Sequence, residues 1–144
     1  MKLEITPATP EGFRERATWR YEPPFELYDE EGKPVKNPER FWEARDEAGE
    51  LVGFYYFERK GPTVKYGLGL RPDLTGSGHG LDFVRAGVDF ARERFRPRRI
   101  VLDVFAFNER AVKVYERAGF RATGERRQKY RGREIETIDM ELTL

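Results

Sequence analysis

A loop with three glycines at alternate positions is the part of this sequence best suited to chemistry. The loop consists of Thr75, Gly76, Ser77, Gly78, His79 and Gly80. Glycines leave backbone N–H groups uncovered, and a following helix adds a partial positive charge, so a phosphate group fits such a loop. No Gly-Lys-Ser/Thr ending follows, which excludes a P-loop, and Leu81 stands where a dinucleotide fingerprint requires glycine. The alternative is a sharp turn from strand to helix that binds no ligand.

Two polar residues stand out in apolar segments. Asp103 interrupts the run Ile-Val-Leu-Asp-Val-Phe-Ala-Phe between Arg99 and Phe107. Tyr115 shares a helical stripe, spaced i, i+3, i+4 and i+7, with three apolar residues. These are Ala111, Val114 and Ala118. The chain has no cysteine and only one histidine, His79, which excludes a cysteine nucleophile, disulfides and thiolate metal sites. We expect no metal site, and we expect His79 to contact solvent or phosphate through its backbone.

Alternating apolar residues and turn signals predict the strands that would position these groups. The predicted strands are Met1 to Thr6, Phe41 to Arg45, Leu51 to Lys60, Thr63 to Leu70, Arg99 to Phe107, Phe120 to Tyr130 and Glu134 to Leu144. The strands from Phe41 to Leu70 are expected to be antiparallel, and the strand from Arg99 is expected to be central, with both faces apolar except at Asp103.

Helices are predicted from Thr9 to Arg16, from Leu81 to just before Pro97, and between Asn108 and Gly119. Asn108 is a good N-cap residue, and Gly119 suits a C-terminal position that requires positive φ. The stretch from Trp19 to Pro38 is rich in Pro, Gly, aromatic and acidic residues, which indicates an irregular segment. No internal repeat is present.

Bulk properties limit the classes of partner. The chain has 144 residues, a length that fits one domain. Lys and Arg total 27 against 26 Asp and Glu, so no global field favours nucleic acid. Apolar runs are far shorter than the roughly 20 residues needed to cross a bilayer, and no signal-peptide core is present. We expect a cytoplasmic protein with neither a nucleic-acid nor a membrane partner, as a monomer or homodimer.

The strand, loop and helix around Gly78 and Gly80 resemble motif A of the GCN5-related N-acetyltransferase (GNAT) family, Gln/Arg-x-x-Gly-x-Gly/Ala. A second segment is similar to the family's Asn-x-x-Ala-x-x-x-Tyr-x-x-x-Gly-Phe pattern. Its matching residues are Asn108, Ala111, Tyr115, Gly119 and Phe120. Thr75 departs from the family by replacing the opening Gln or Arg, although Gly76 and the Ser77 hydroxyl can still bring donors to a pyrophosphate. The resemblance covers about Leu68 to Phe120 and extends to the ribosomal-protein alanine N-acetyltransferase branch.

The resemblance implies an α/β (α+β) fold with a mixed, mostly antiparallel sheet of about seven strands, flanked by helices. A parallel strand pair would lie around the cofactor loop, and residues 1 to 144 would form one domain. It implies acetyl-CoA as cofactor, coenzyme A as product, and direct attack by a primary amine of a small molecule or a protein N-terminus. The alternative to an enzyme is a noncatalytic module of the same fold that binds acyl-CoA as a sensor.

The resemblance also implies roles for individual residues. The cofactor would contact Leu68, Gly69, Leu70, Thr75, Gly76, Ser77, Gly78, His79, Gly80, Asn108 and Tyr115. Backbone amides near Leu68 to Leu70 would stabilise the thioester oxygen. Tyr115 would protonate the leaving thiolate as general acid, and Asp103 is the candidate general base, since partial burial would raise its pKa.

Each role has a structural alternative. Gly69 could be an ordinary strand glycine, Asn108 only a helix cap, Tyr115 a core tyrosine, and Asp103 a carboxylate paired with an arginine. The acidic and aromatic segment from Tyr21 to Glu31 could welcome a cationic amine or could be a solvated loop.

Overall fold

The computed structural model describes residues 2 to 144, which contain seven strands and three α-helices. The strands are β1 (Glu4–Pro7), β2 (Phe41–Arg45), β3 (Leu51–Lys60), β4 (Thr63–Leu70), β5 (Arg99–Phe105), β6 (Arg121–Tyr130) and β7 (Arg133–Thr143). The helices are α1 (Pro10–Arg16), α2 (Gly80–Phe95) and α3 (Glu109–Arg117). Short 3₁₀ turns lie at Phe25–Tyr28, Pro38–Arg40 and Pro72–Leu74. Met1, which opens the first predicted strand, lies outside the described residues.

All seven strands form one sheet in the order β1-β2-β3-β4-β5-β7-β6. Antiparallel pairing joins β1 to β2, β2 to β3, β5 to β7 and β6 to β7. The pair β4 and β5 is parallel. The mixed, mostly antiparallel sheet with one parallel pair confirms the predicted fold class.

The parallel pairing of β4 and β5 is short. It joins Thr63 to Arg99, Val64 to Ile100 and Lys65 to Val101. Both strands continue beyond these pairs, and β5 remains paired with β7 as far as Phe105 and Thr137. The β4–β5 ladder therefore covers only the first residues of β4, ahead of its glycine-containing end.

Residue contacts divide the chain into two compact units. The first unit comprises residues 1 to 56 and 68 to 79. Its core contains Trp19, Leu27, Ala44, Leu51 and Tyr55. The buried Arg16 guanidinium lies over the rings of Phe13, Phe41 and Phe54, at 3.6 Å from the centroid of Phe54. The irregular segment predicted before β2 belongs to this unit; it contains the 3₁₀ turn Phe25–Tyr28 and ends where the turn Pro38–Arg40 begins.

The second unit comprises residues 57 to 67 and 80 to 144. The Tyr66 hydroxyl donates a buried hydrogen bond of 2.9 Å to the Val84 carbonyl, which fixes α2 against β4. The Phe57 ring stacks on Tyr66 and also contacts Phe90. The helices α2 and α3 contact each other in this unit. None of the helices within residues 2–144 combines the length and the apolar character needed to span a bilayer.

β5 departs from its prediction in length and in burial. It ends at Phe105 because the Asn108 N–H turns back to the Phe105 carbonyl at 2.9 Å. Ile100, Leu102 and Val104 are buried, whereas Asp103 on the opposite face is exposed. The expected place of β5 inside the sheet is confirmed, but the face that carries Val101, Asp103 and Phe105 is less buried than the face that carries Ile100, Leu102 and Val104.

Candidate functional site

Two residues of the glycine loop have positive φ angles, a backbone conformation that glycine adopts more readily than other residues. Gly76 (φ +72°) and Gly78 (φ +84°) are both left-handed, and the space beside Gly78 is open. Residues 75 to 78 form turns, and within residues 2–144 the backbone N–H groups of residues 76 to 79 donate no hydrogen bond of good geometry to another backbone group. Gly76, Ser77 and Gly78 are exposed. Consecutive backbone N–H groups that precede a helix in the chain are of the kind that binds an anion.

The hydroxyl groups of this loop are less available than its backbone. Thr75 Oγ1 donates to the Pro72 carbonyl at 2.7 Å. Ser77 Oγ lies 3.5 Å from the Thr75 carbonyl, the limit of a hydrogen bond, and is exposed. The Thr75 hydroxyl, at the position that departs from the family motif, is therefore hydrogen-bonded within the protein. The Ser77 hydroxyl can rotate toward a ligand.

His79 is partly exposed at the end of the loop. No cluster of three or more potential metal-binding side chains occurs in the described part of the chain.

The end of β4, from Leu68 to Leu70, is fixed by side chains of the first unit. A Cβ at Gly69 would overlap the Phe54 ring of β3, so this glycine is required by packing. The Tyr21 hydroxyl donates a hydrogen bond of 2.7 Å to the Leu70 carbonyl. The Arg71 N–H donates to the Val52 carbonyl at 2.8 Å. Hydrogen bonds at two consecutive residues, Leu70 and Arg71, thus hold the end of β4 in place. This is the strand end proposed to lie beside the thioester.

Tyr21 contacts the end of β4 through a hydrogen bond that the sequence did not predict. It lies 49 positions from Leu70, so no spacing rule could join them. Its backbone N–H donates to Asp29 Oδ1 at 2.8 Å. Burial raises the pKa of the Tyr21 phenol, and the nearby Glu30 raises it further. The phenol is therefore protonated at neutral pH and acts as a hydrogen-bond donor to β4.

Tyr115 lies in the second unit, on α3, and is half-buried. Its ring packs edge-on against Phe120, with centroids 6.0 Å apart. A Cβ at Gly80 would lie 3.6 Å from Val114 Cγ2, so the first residue of α2 lies beside α3. The structure therefore brings Gly80, the last residue of the glycine loop, next to the helix that carries Tyr115.

Asn108 caps α3 as predicted, since its side chain accepts a hydrogen bond of 3.3 Å from the Ala111 N–H. Gly119, at the other end of this helix, has the predicted positive φ, +104°. A contact between Asn108 and a cofactor stays a prediction.

Asp103 lies at the surface of the sheet, with 35% of its side chain exposed. Its Oδ2 accepts a hydrogen bond of 2.8 Å from Arg126 Nη2 of β6. Arg126 also binds Asp139, the residue opposite Asp103 in the β5–β7 register. The pKa of Arg126 is raised, first by its hydrogen bond with Asp139 and also by Asp103. The observed contacts match the alternative of a carboxylate paired with an arginine, and a base role for Asp103 stays untested.

Two acids of the segment from Tyr21 to Glu31 are engaged within the protein. Asp29 is buried and accepts from Tyr21. Glu30 binds Arg16 through two hydrogen bonds of 3.1 and 2.6 Å. Glu31 is exposed and lies 3.9 Å from the Lys33 ammonium. Asp29 and Glu30 therefore help to order the segment.

Comparison with known proteins supplies a family assignment. A sequence model of the Acetyltransferase (GNAT) family matches residues 5–120. Mycothiol acetyltransferase from Propionibacterium freudenreichii is 43% identical over 82 residues, which are 54% of this chain and 26% of that protein. Mycothiol acetyltransferase from Streptomyces avermitilis is 36% identical over 109 residues, 74% of this chain and 34% of that protein. The chain thus spans about a quarter to a third of the length of these relatives.

Solved structures show the same fold. A chimera of spermidine N-acetyltransferase from Vibrio cholerae and hSSAT superposes with a TM-score of 0.82, covering 99% of this chain and 96% of that one at 17% identity. A GNAT-family acetyltransferase from Bacillus anthracis gives a TM-score of 0.64 over 72% of this chain and 66% of that one, at 16% identity. At these identities the likeness concerns the fold alone.

Proposed function

This chain belongs to the acetyltransferase (GNAT) family, and from that membership we propose that it transfers an acetyl group from acetyl-CoA to a primary amine. The observation that carries the proposal is the run of backbone N–H groups at residues 76 to 79, which donate no hydrogen bond of good geometry to another backbone group within residues 2–144; residues 76 to 78 are exposed. The pyrophosphate of coenzyme A carries acceptor oxygens and negative charge, which match such a run. Residues 1 to 144 would form one acyltransferase domain.

The cofactor would be held by backbone more than by side chains. Gly76, Gly78 and Gly80 would let the pyrophosphate approach the amides, and Ser77 would add a hydroxyl donor. The short β4–β5 ladder supports binding of the pantetheine amides beside Leu68 to Leu70, because strand edges offer hydrogen-bonding groups to an added chain. Asn108 would contact the cofactor from the start of α3.

The proposed reaction is direct attack of the amine nitrogen on the thioester carbonyl. The new C–N bond forms, the C–S bond breaks, and backbone amides near Leu68 to Leu70 stabilise the charge on the carbonyl oxygen. Tyr115 would give its phenolic proton to the departing thiolate, which leaves as coenzyme A. The half-buried place of Tyr115 on α3 supports this role, since α3 lies beside Gly80.

The attacking amine must lose a proton, and Asp103 is the candidate acceptor. Its ion pair with Arg126 is exposed, and such pairs contribute about 0–1 kcal/mol to stability, so both partners can be replaced without unfolding. If Asp103 is the base, Asp103→Asn should lower turnover about 100-fold, while Arg126→Gln should stay within a few-fold of wild type. Equal turnover in both variants would leave Asp103 as the partner of Arg126 alone.

The names of the relatives point to amine-bearing acceptors. The curated relatives are called mycothiol acetyltransferases, and the chimeric structural neighbour is called a spermidine N-acetyltransferase. We propose a small-molecule amine or a protein N-terminus as the class of acceptor. The ribosomal-protein branch stays a prediction.

The test of the proposed function is release of coenzyme A thiol from acetyl-CoA, followed colorimetrically with polyamines, aminoglycosides, amino acids and peptides. We expect thiol release with at least one amine class, together with calorimetric binding of acetyl-CoA. Binding without release for any acceptor would favour the noncatalytic acyl-CoA sensor. Absence of binding to coenzyme A and to its acylated forms would refute both functions.

A further inference from the structure

Arg71 lies between the two segments that the proposed function assigns to acetyl-CoA. Residues 68 to 70 would contact the thioester, and residues 76 to 79 would bind the pyrophosphate. Both segments belong to the first unit, which contains residues 68 to 79 without a break. Residues 71 to 75 join the two segments, and we call them the connector. The separation between the two ends of the proposed cofactor site therefore depends on how the connector is held.

The Arg71 side chain joins the connector to the start of β3. Its Nη1 donates a hydrogen bond of 3.2 Å to the Leu51 carbonyl. Its Nε and Nη2 donate to the two carboxylate oxygens of Asp73, at 2.6 and 3.1 Å, and we call this pair of hydrogen bonds the fork. Only 23% of the Arg71 side chain is exposed. One guanidinium thus fixes both β3 and the turn that carries Asp73.

Hydrogen bonds also close the connector into a turn. The Leu74 N–H donates to the Arg71 carbonyl at 2.9 Å, and the Thr75 N–H donates to the Pro72 carbonyl at 3.2 Å. The Thr75 hydroxyl donates to the same carbonyl at 2.7 Å, and the ring of Pro72 fixes its φ angle. A turn held in this way moves as a unit, so its attachment to β3 sets its position.

The charge of Arg71 is balanced by carboxylates of the protein. The hydrogen bond between Arg71 and Asp73 raises the pKa of the guanidinium and lowers the pKa of the carboxyl, so both groups are charged at neutral pH. Glu50 Oε2 lies 3.7 Å from Arg71 Nη1. Because its donors are directed at these acceptors, Arg71 is suited to fix the backbone more than to bind a phosphate itself.

We infer that Arg71 is a positioning residue, which holds the thioester segment and the pyrophosphate loop at the separation that one acetyl-CoA molecule spans. This inference rests on the proposed function and adds a residue outside the proposed cofactor contacts. The two ends of one ligand reinforce each other's binding only when their sites lie at the right distance. A misplacement of about 1 Å can lower the rate about 100-fold. The fork supplies this precision, because arginine presents its donors in one fixed plane.

The inference is tested with Arg71→Met, which removes the fork and keeps an apolar side chain. We expect kcat/KM for acetyl-CoA to fall about tenfold. The kcat/KM for S-acetylpantetheine and the inhibition constant of ADP should stay within about twofold of wild type, because each compound carries one end of the cofactor. Arg14→Met is the charge-matched control, since Arg14 is exposed and paired with Glu11 on α1, and it should change none of these values. An unchanged kcat/KM for acetyl-CoA, or an equal loss with either fragment, would overturn the inference.

Two further variants separate positioning from direct contact between Arg71 and a phosphate. Asp73→Asn removes one acceptor of the fork and a negative charge at an exposed side chain, so it should leave the fold intact. Positioning predicts about fivefold weaker binding of acetyl-CoA by calorimetry, whereas direct contact predicts equal or tighter binding, because Arg71 is released and a repulsive charge is lost. Arg71→Lys keeps the charge but cannot form the fork. Wild-type affinity in either variant would refute positioning by the fork.

Failure of this inference is separable from failure of the proposed function. If the wild-type protein acetylates amines but Arg71→Met uses acetyl-CoA as efficiently as the wild type, only the role of Arg71 is refuted. If the wild-type protein neither binds acetyl-CoA nor releases thiol with any amine, the proposed function is refuted, and the inference falls with it.

Discussion

Tyr115 combines the two properties that a proton donor to a thiolate requires, a polar end and a fixed ring. Its ring packs against Phe120, and the Phe120 N–H donates to the Tyr115 carbonyl at 3.0 Å. These contacts fix the ring and the backbone of Tyr115, and both groups remain when the hydroxyl is removed.

We predict that Tyr115→Phe lowers kcat about 100-fold, the range of general acid catalysis, while acetyl-CoA affinity changes less than threefold. Stopped assays of thiol release give kcat, and calorimetry with acetyl-CoA gives the affinity. A variant with wild-type turnover would remove Tyr115 from the mechanism. A large loss of affinity would instead assign Tyr115 to cofactor binding.

At the residue scale, the sequence predicted groups whose position depends on local periodicity and missed those that depend on distant strands. Tyr115 and the cap at Asn108 follow from helical spacing within one element. The exposure of Asp103 depends on which face of β5 is covered, and its partner Arg126 lies on another strand. The contact from Tyr21 to Leu70 joins an irregular segment to β4, and no pattern in either segment encodes it.

At the element scale, turn chemistry located most strand ends. The β6–β7 turn at Arg131 and Gly132 has two left-handed residues, as the tight hairpin predicted from this dipeptide requires. The predicted bounds of β2, β3 and β4 agree with the structure because Gly and polar residues separate them. The end of β5 was missed by two residues, because the apolar Ala106 and Phe107 turn toward α3 while retaining the composition of a strand.

A substitution in the glycine loop can separate a loss of folding stability from a loss of acetyl-CoA affinity. Gly78→Glu places a side chain at φ +84° with open space beside it, so we expect a backbone cost of about 1–2 kcal/mol and no steric overlap. The added carboxylate would repel the pyrophosphate. Calorimetry should detect no binding of acetyl-CoA.

The matched control is Gly132→Glu, at φ +76° in the β6–β7 turn, also with open space beside it. This variant carries the same charge and a similar backbone cost, so its melting temperature should fall by a similar amount. Its affinity for acetyl-CoA should equal that of the wild type. If both variants bind acetyl-CoA equally well, the loop is only a turn between β4 and α2.

At the scale of the whole molecule, the question is whether two compact units behave as one domain. The family match spans residues 5–120 and so includes parts of both units. A chain of 144 residues buries enough surface for one cooperative domain, but leaves little for two independent cores. Cooperative unfolding is therefore the property that the one-domain proposal requires.

Two spectroscopic signals report on different units, because both tryptophans, Trp19 and Trp42, lie in the first unit and the two longer helices, α2 and α3, lie in the second. We predict coincident thermal transitions by tryptophan fluorescence and by far-ultraviolet circular dichroism, as two-state unfolding requires. Acetyl-CoA at about 100 times its Kd should raise both midpoints together by about 5–10 °C, since it stabilises the folded state by about 2.7 kcal/mol. Separate midpoints, or a shift in only one signal, would contradict the single domain and would assign cofactor binding to the unit whose signal moved.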